Sequence, residues 1–102
     1  MTGKRRREQS PITKLARGEA CEIRLPGICN GNPETTSPCH YRLIGLSGFG
    51  FIPDAWMVAW GCSGCHAWVD SHHDDETRLA FAHGVFRTLA KLVARGVVKV
   101  GK

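Results

Sequence analysis

A chain of 102 residues is long enough for one small domain and too short for two ordinary ones. Hydrophobic residues at 42% and charged residues at 23% exclude an intrinsically disordered chain, and no apolar run reaches the length of a membrane span. Fourteen basic side chains against nine acidic ones leave a net charge of +5, which favours a polyanionic partner over an acidic or lipid-buried role.

The segment Lys4-Arg5-Arg6-Arg7 reads as a short basic arm, suited to phosphate contacts that add affinity without sequence preference. Ser10-Pro11 is expected to start a short helix, with Ile12, Leu15 and Ala16 as its apolar stripe and Gly18 as its end. Cys21 to Leu25 alternates enough to predict a short strand. Turn residues flank Cys29: Pro26-Gly27 before it and Asn30-Gly31-Asn32-Pro33 after it. A second strand is predicted over His40 to Ile44, a glycine-rich loop over Gly45 to Pro53, and a buried strand over Ala55 to Trp60. A short helix from about Gly64 to Ser71 would place His66 and Asp70 on one face.

Asp74-Asp75-Glu76 has the acidic character of a helix start. Leu79, Ala82, Val85, Phe86, Leu89, Leu92 and Val93 then recur at helical spacing and predict the core-facing stripe of a longer helix. Gly96 is its stop, and Val97 to Val100 is expected as a last strand or a packed tail.

The five cysteines are an odd number, and the charged start of the chain has no apolar stretch of the kind that marks a secretory leader. The expected location is therefore cytoplasmic, where clustered cysteines bind metal more often than they pair. Cys62-Ser63-Gly64-Cys65 is the strongest signal, because two thiols two residues apart, with glycines in the turn, can grip one ion. Cys21 and Cys29 would complete a closed, structural four-thiolate zinc site, although seven residues separate them instead of the usual two to four. Cys39 is left over, and it reads first as an inert buried thiol, then as a substitute zinc ligand or a ligand to a second metal.

His40, His66, Asp70 and Arg42 supply the groups that phosphodiester hydrolysis requires. His40 can act as a base toward water, His66 and Asp70 can hold a divalent cation, and Arg42 with the Arg5, Arg6 and Arg7 arm can hold phosphates. Plainer readings of the same residues stay open. His40 is equally a hydrogen-bonded strand histidine, His66 a zinc ligand in place of a cysteine, and Asp70 an exposed helix residue. His72 and His73 read as surface groups.

Three segments carry a resemblance: the run from Arg24-Leu25-Pro26-Gly27-Ile28-Cys29 through Asn30-Gly31-Asn32-Pro33-Glu34-Thr35, then His40-Tyr41-Arg42-Leu43, then Cys62-Ser63-Gly64-Cys65-His66. With their order, the chain from about Ala16 onward resembles the HNH, or ββα-metal, endonucleases, and within them the small prophage-encoded proteins of the YbcO type. The resemblance implies an α+β, treble-clef-like fold in which a short β-hairpin and a helix clasp a catalytic metal, with zinc thiolates locking the two together. It implies that His40 is the general base, that His66 is the metal-binding histidine, and that Asp70 is a second helix ligand for magnesium or manganese. Two departures stand out. Cys39 occupies the position before the base where many members carry a metal-binding Asp or His, and a soft thiolate is a poor magnesium ligand. The middle Asn of the motif is absent, and Asp54 is the nearby residue that could orient His40 in its stead.

The expectation is one nuclease domain over residues 16–102, preceded by a basic arm over 1–15, cutting DNA in phage recombination with or without a recombination-protein partner. The alternatives are a non-catalytic zinc module that binds nucleic acid and a zinc-stapled protein-interaction adaptor.

Overall fold

Residues 15–41 and 57–98 are described in the computed structural model of the chain. Two short strands, β1 (Ser37–His40) and β2 (Val58–Gly61), pair antiparallel, with Ser37 opposite Gly61 and His40 opposite Val58. Tyr41 N–H donates to the Met57 carbonyl at 2.9 Å and carries the pairing one step further. Every residue of β2 is buried, as its unbroken apolar run requires. It lies between the rest of the hairpin layer and the helices that follow, α1 (Ser63–Ser71) and α2 (Asp75–Ala94).

Both helices start from side-chain caps. The Cys62 sulfur accepts from Cys65 N–H, and the Asp74 carboxylate accepts from both the backbone N–H and the hydroxyl of Thr77. The buried Thr77 hydroxyl also accepts from the Trp68 indole N–H at 3.1 Å, so one hydroxyl ties α1 to the start of α2. The predicted boundaries of both helices agree with those observed to within one residue.

Two local expectations are corrected, and one with two alternatives is decided between them. Cys21 to Leu25 is not a strand but a bend at Glu22 and Ile23, and its tie to the sheet is Glu22 N–H to the Trp60 carbonyl at 2.7 Å. Of the two readings for the segment after Gly96, Val97 and Val98 follow the packed tail: their N–H groups close onto the Leu92 carbonyl, and Val98 packs with Trp60 and Leu92. The core face of α2 keeps Val85 and Leu92 of the predicted stripe but is rotated away from Leu79 and Phe86. Thr77, Phe81, Gly84, Val85, Thr88 and Leu92 are buried, whereas Leu79 is 58% and Phe86 68% exposed. The physical reason is close approach. At Gly84 a β-carbon would stand 3.1 Å from the Ala59 β-carbon and 3.2 Å from the Glu22 carbonyl. The Thr88 hydroxyl accepts from Trp60 N–H at 3.0 Å. Gly84, Thr77 and Thr88 thus share the buried face with Phe81, Val85 and Leu92, and Leu79 and Phe86 are turned away from it.

The core has two parts. One gathers Ile23, Ala59, Val69, Phe81 and Val85 around the cysteines; the other is Ala16, Trp60 and Leu92. Arg95 lies over the Trp60 ring at 5.3 Å and forms a two-pronged ion pair with Glu19 at 2.8 and 3.0 Å, which fastens the segment before Cys21 to the end of α2. No helix among the described residues is long and apolar enough to cross a membrane. The predicted helix start at Ser10, the loop over Gly45 to Pro53 and the beginning of the strand at Ala55 lie outside the described residues.

Candidate active site and metal centre

The sulfur atoms of Cys21, Cys29, Cys62 and Cys65 all lie within 4.8 Å of one another. A tetrahedral zinc with bonds of about 2.3 Å would hold its sulfurs roughly 3.8 Å apart, and the Cys62 and Cys29 sulfurs are 3.9 Å apart. The long spacing between Cys21 and Cys29 is absorbed by two consecutive turns. In the first, Arg24 takes the left-handed conformation (φ 58°) and its N–H points at the Cys21 sulfur at 3.5 Å. In the second, the Leu25 carbonyl accepts from the N–H groups of both Ile28 and Cys29. Cys62 is fixed from both sides, by Cys65 N–H at 3.4 Å and by Asn30 N–H at 3.3 Å. Asn30 also donates to the Ser63 hydroxyl at 2.9 Å, and Ser63 N–H donates to Thr35. The two halves meet so closely that a β-carbon on Gly64 would stand 2.5 Å from the Ile28 carbonyl oxygen.

Backbone N–H groups aimed at sulfur stabilise thiolates. Burial alone would push the Cys62 thiol up, but N–H donors from Cys65 and Asn30 and the thiols of Cys65 and Cys29 outweigh it and bring it down to about 6. Burial pushes the Cys29 and Cys65 thiols up, and the neighbouring cysteines add to the rise. Four thiols this close cannot all ionise without a cation among them, so the donor set fits zinc. Cys39 stands apart, 1% exposed with its sulfur against the Ser37 carbonyl at 3.7 Å. Burial, then the charge of Asp70, pushes it up to about 12, which is the behaviour of an inert core thiol.

His40 ends β1 and is exposed. His66 rides on the first turn of α1, directly after the second cysteine pair, with its N–H on the Cys62 carbonyl at 2.8 Å. Its Nδ1 is hydrogen-bonded to the Ser37 hydroxyl of β1 at 2.8 Å, which turns Nε2 toward Asp70, 3.6 Å away one helical turn later. Nitrogen and carboxylate donors at that separation can share one cation. A carboxylate with open solvent beside it suits magnesium or manganese, which keep several waters. His40 and Asp70 line one cavity of about 230 Å³, together with Tyr41, His73, Arg78 and Phe81. His72 also borders it, stacked face to face on Trp68 at 3.5 Å.

Arg42, the Arg5, Arg6 and Arg7 arm, and Asp54 lie outside the described residues. Sequence reasoning missed Ser37, whose contact with His66 spans 29 positions and leaves no local signal. It also missed Arg78, which lines the same cavity as His40 only because α2 packs back onto β2 of the hairpin. A third omission is Glu22, a fully buried acid held by Arg24 and Lys91.

Comparison with known proteins places these observations in a family. The model of the family described as "Putative nuclease YbcO" matches residues 10–97. Two curated relatives bear that same description, one from Escherichia coli strain K12 and one from Enterobacteria phage 82. Each is 39% identical to this chain over 92 residues, covering 86% of it and 96% of the relative. A solved structure of a bacteriophage protein from Escherichia coli K-12, described as putative, superposes with a TM-score of 0.70 at 34% identity, covering 83% of this chain and 99% of that one. The chain thus belongs to the YbcO family of putative nucleases.

Proposed function

We propose that this protein is a metal-dependent DNA endonuclease of the HNH type, with residues 16–102 as its nuclease domain, a structural zinc on Cys21, Cys29, Cys62 and Cys65, and a magnesium or manganese ion on His66 and Asp70. The observation that carries the reading is convergence from two elements far apart in the chain, β1 with Ser37 and His40 and α1 with His66 and Asp70. Ser37 fixes His66 so that it faces Asp70, and Asp70 shares a cavity with His40 at the end of the same strand as Ser37.

Hydrolysis of a phosphodiester needs a proton taken from water and negative charge stabilised on the leaving oxygen. His40, exposed at the end of β1, is the group that takes the proton. His66 is held in one orientation by Ser37, so its free nitrogen costs little to reorganise at the moment of reaction. Asp70 fixes the second ligand position on the same helix face. A divalent cation bound there supplies charge neutralisation at the phosphate and the departing 3′ oxygen. The net charge of +5 draws the DNA backbone in, with Arg42 and the Arg5 to Arg7 arm as its expected contacts. The phage origin of one relative and of the superposed protein supports a role inside the bacterial cell in phage DNA recombination or processing, with a recombination protein as partner.

The test is nicking of supercoiled plasmid by the purified protein with magnesium or manganese, read beside elemental analysis. His40→Ala should lower the rate by about 10²- to 10⁴-fold while zinc stays near one per chain. Salt-dependent DNA binding by the wild type without any nicking would replace the enzyme with a zinc-containing DNA-binding module.

A further inference from the structure

The cavity beside His40 has two unlike walls. One is apolar: Tyr41 and Phe81 rings lie 4.8 Å apart, with buried Val69 next to them. The other carries His73 and Arg78, both exposed. Among the described residues, neither of these side chains makes a hydrogen bond or an ion pair. Two acids of this surface are otherwise engaged: the Asp74 carboxylate caps α2 through Thr77, and the Asp70 carboxylate faces His66. A guanidinium without a carboxylate partner, beside an aromatic wall, is a place for an anion attached to a flat ring. The volume of about 230 Å³ corresponds to roughly eight waters at liquid density, the scale of a single nucleotide unit.

We propose that this cavity is a nucleotide subsite, in which Arg78 and His73 hold a phosphate and one unpaired base lies against Tyr41 and Phe81. The proposal rests on the endonuclease reading, because that reading is what sets the scissile bond beside His40. It adds a substrate class. A base stacked inside a duplex cannot enter a cavity of this size, so the nucleotide next to the cut must be single-stranded, at an end, or extruded. Preferred substrates are single strands and branched or gapped DNA, not continuous duplex.

Binding is measured on the zinc-loaded protein with no magnesium or manganese added, so that cleavage plays no part. Fluorescence anisotropy compares a short labelled oligo-dT with a blunt hairpin duplex carrying the same number of phosphates. The single strand should bind about tenfold more tightly. Arg78→Ala, a change on an exposed helix position, should weaken single-strand binding roughly fivefold and duplex binding much less. Thymidine monophosphate added to ¹⁵N-labelled protein should shift the amide signals of Tyr41, Val69, Arg78 and Phe81. Equal affinity for both DNAs, equal loss of both in Arg78→Ala, or nucleotide-induced shifts confined to other parts of the chain would overturn the proposal. If plasmid nicking sensitive to His40→Ala persists alongside such a result, the subsite alone has failed. If nicking is absent while the subsite shifts are seen, the endonuclease reading has failed and the nucleotide site stands.

Discussion

Replacing Glu22 with glutamine removes the one fully buried charge in the segment that carries the first cysteine. The carboxylate is 0% exposed and accepts from Arg24 at 2.8 Å and from Lys91 of α2. The same residue's carbonyl accepts from Arg87 at 2.6 Å, and its N–H donates to Trp60. Four partners, Arg24, Lys91, Arg87 and Trp60, thus converge on the residue that follows Cys21. Removing one partner of a fully buried ion pair costs about 3–5 kcal/mol, because the other charge is stranded. Here the cations are not stranded: the Lys91 and Arg24 side chains are 38% and 55% exposed and can return to water. The expected cost of Glu22→Gln is therefore nearer that of a charged hydrogen bond, about 1–3 kcal/mol. At the midpoint a loss of about 2 kcal/mol lowers Tm by roughly 8–16 °C for a domain of this size. Urea and thermal unfolding at fixed zinc concentration measure it. The double variant Glu22→Met/Lys91→Met should recover most of the loss, since apolar packing replaces a desolvated pair at little cost. A single variant within about 0.5 kcal/mol of wild type, the range of ordinary surface changes, would refute the view that Glu22 clamps the first cysteine turn to α2.

Ser37→Ala should leave zinc content and thermal stability nearly unchanged. It should lower nicking, or the affinity for the activating cation, about 10- to 100-fold, as expected when a histidine ligand loses its orienting partner. A manganese titration of the nicking rate checks this. The corrected core face of α2 predicts a contrast in urea melts. Leu92→Ala should cost about 2–5 kcal/mol, and Phe86→Ser no more than about 0.5 kcal/mol. The Thr77 hydroxyl, then its N–H, hold the Asp74 carboxyl below its ordinary value. A lowered folded value means that the contribution is complete above the unfolded value and is lost as pH falls through the folded one. The stability gap between wild type and Asp74→Ala should accordingly be constant from neutral pH down to about 5 and narrow only below about 4. Unfolding curves at stepped pH test this, and a gap that widens on acidification would contradict it.

What was legible in the sequence was whatever is encoded over a few residues. Cys62-x-x-Cys65 announces itself because its turn, its N–H donors and its two thiols all come from one short stretch. The bounds of α2 were readable from Asp74 and Gly96, since caps act within a single turn. The face of α2 was readable only in part, at Val85 and Leu92, because hydropathy rewards Leu79 and Phe86 while close packing on β2 demanded Gly84 and Thr88. Resemblance supplied the roles proposed for His40 and His66. Only the tertiary structure linked His66 to Ser37, buried Glu22 beneath Lys91, and brought Arg78 beside His40, 38 positions away in the chain. Those contacts depend on where the hairpin and α2 come to rest against each other. That is a property of shape and packing across the whole molecule, and no short window of residues contains it.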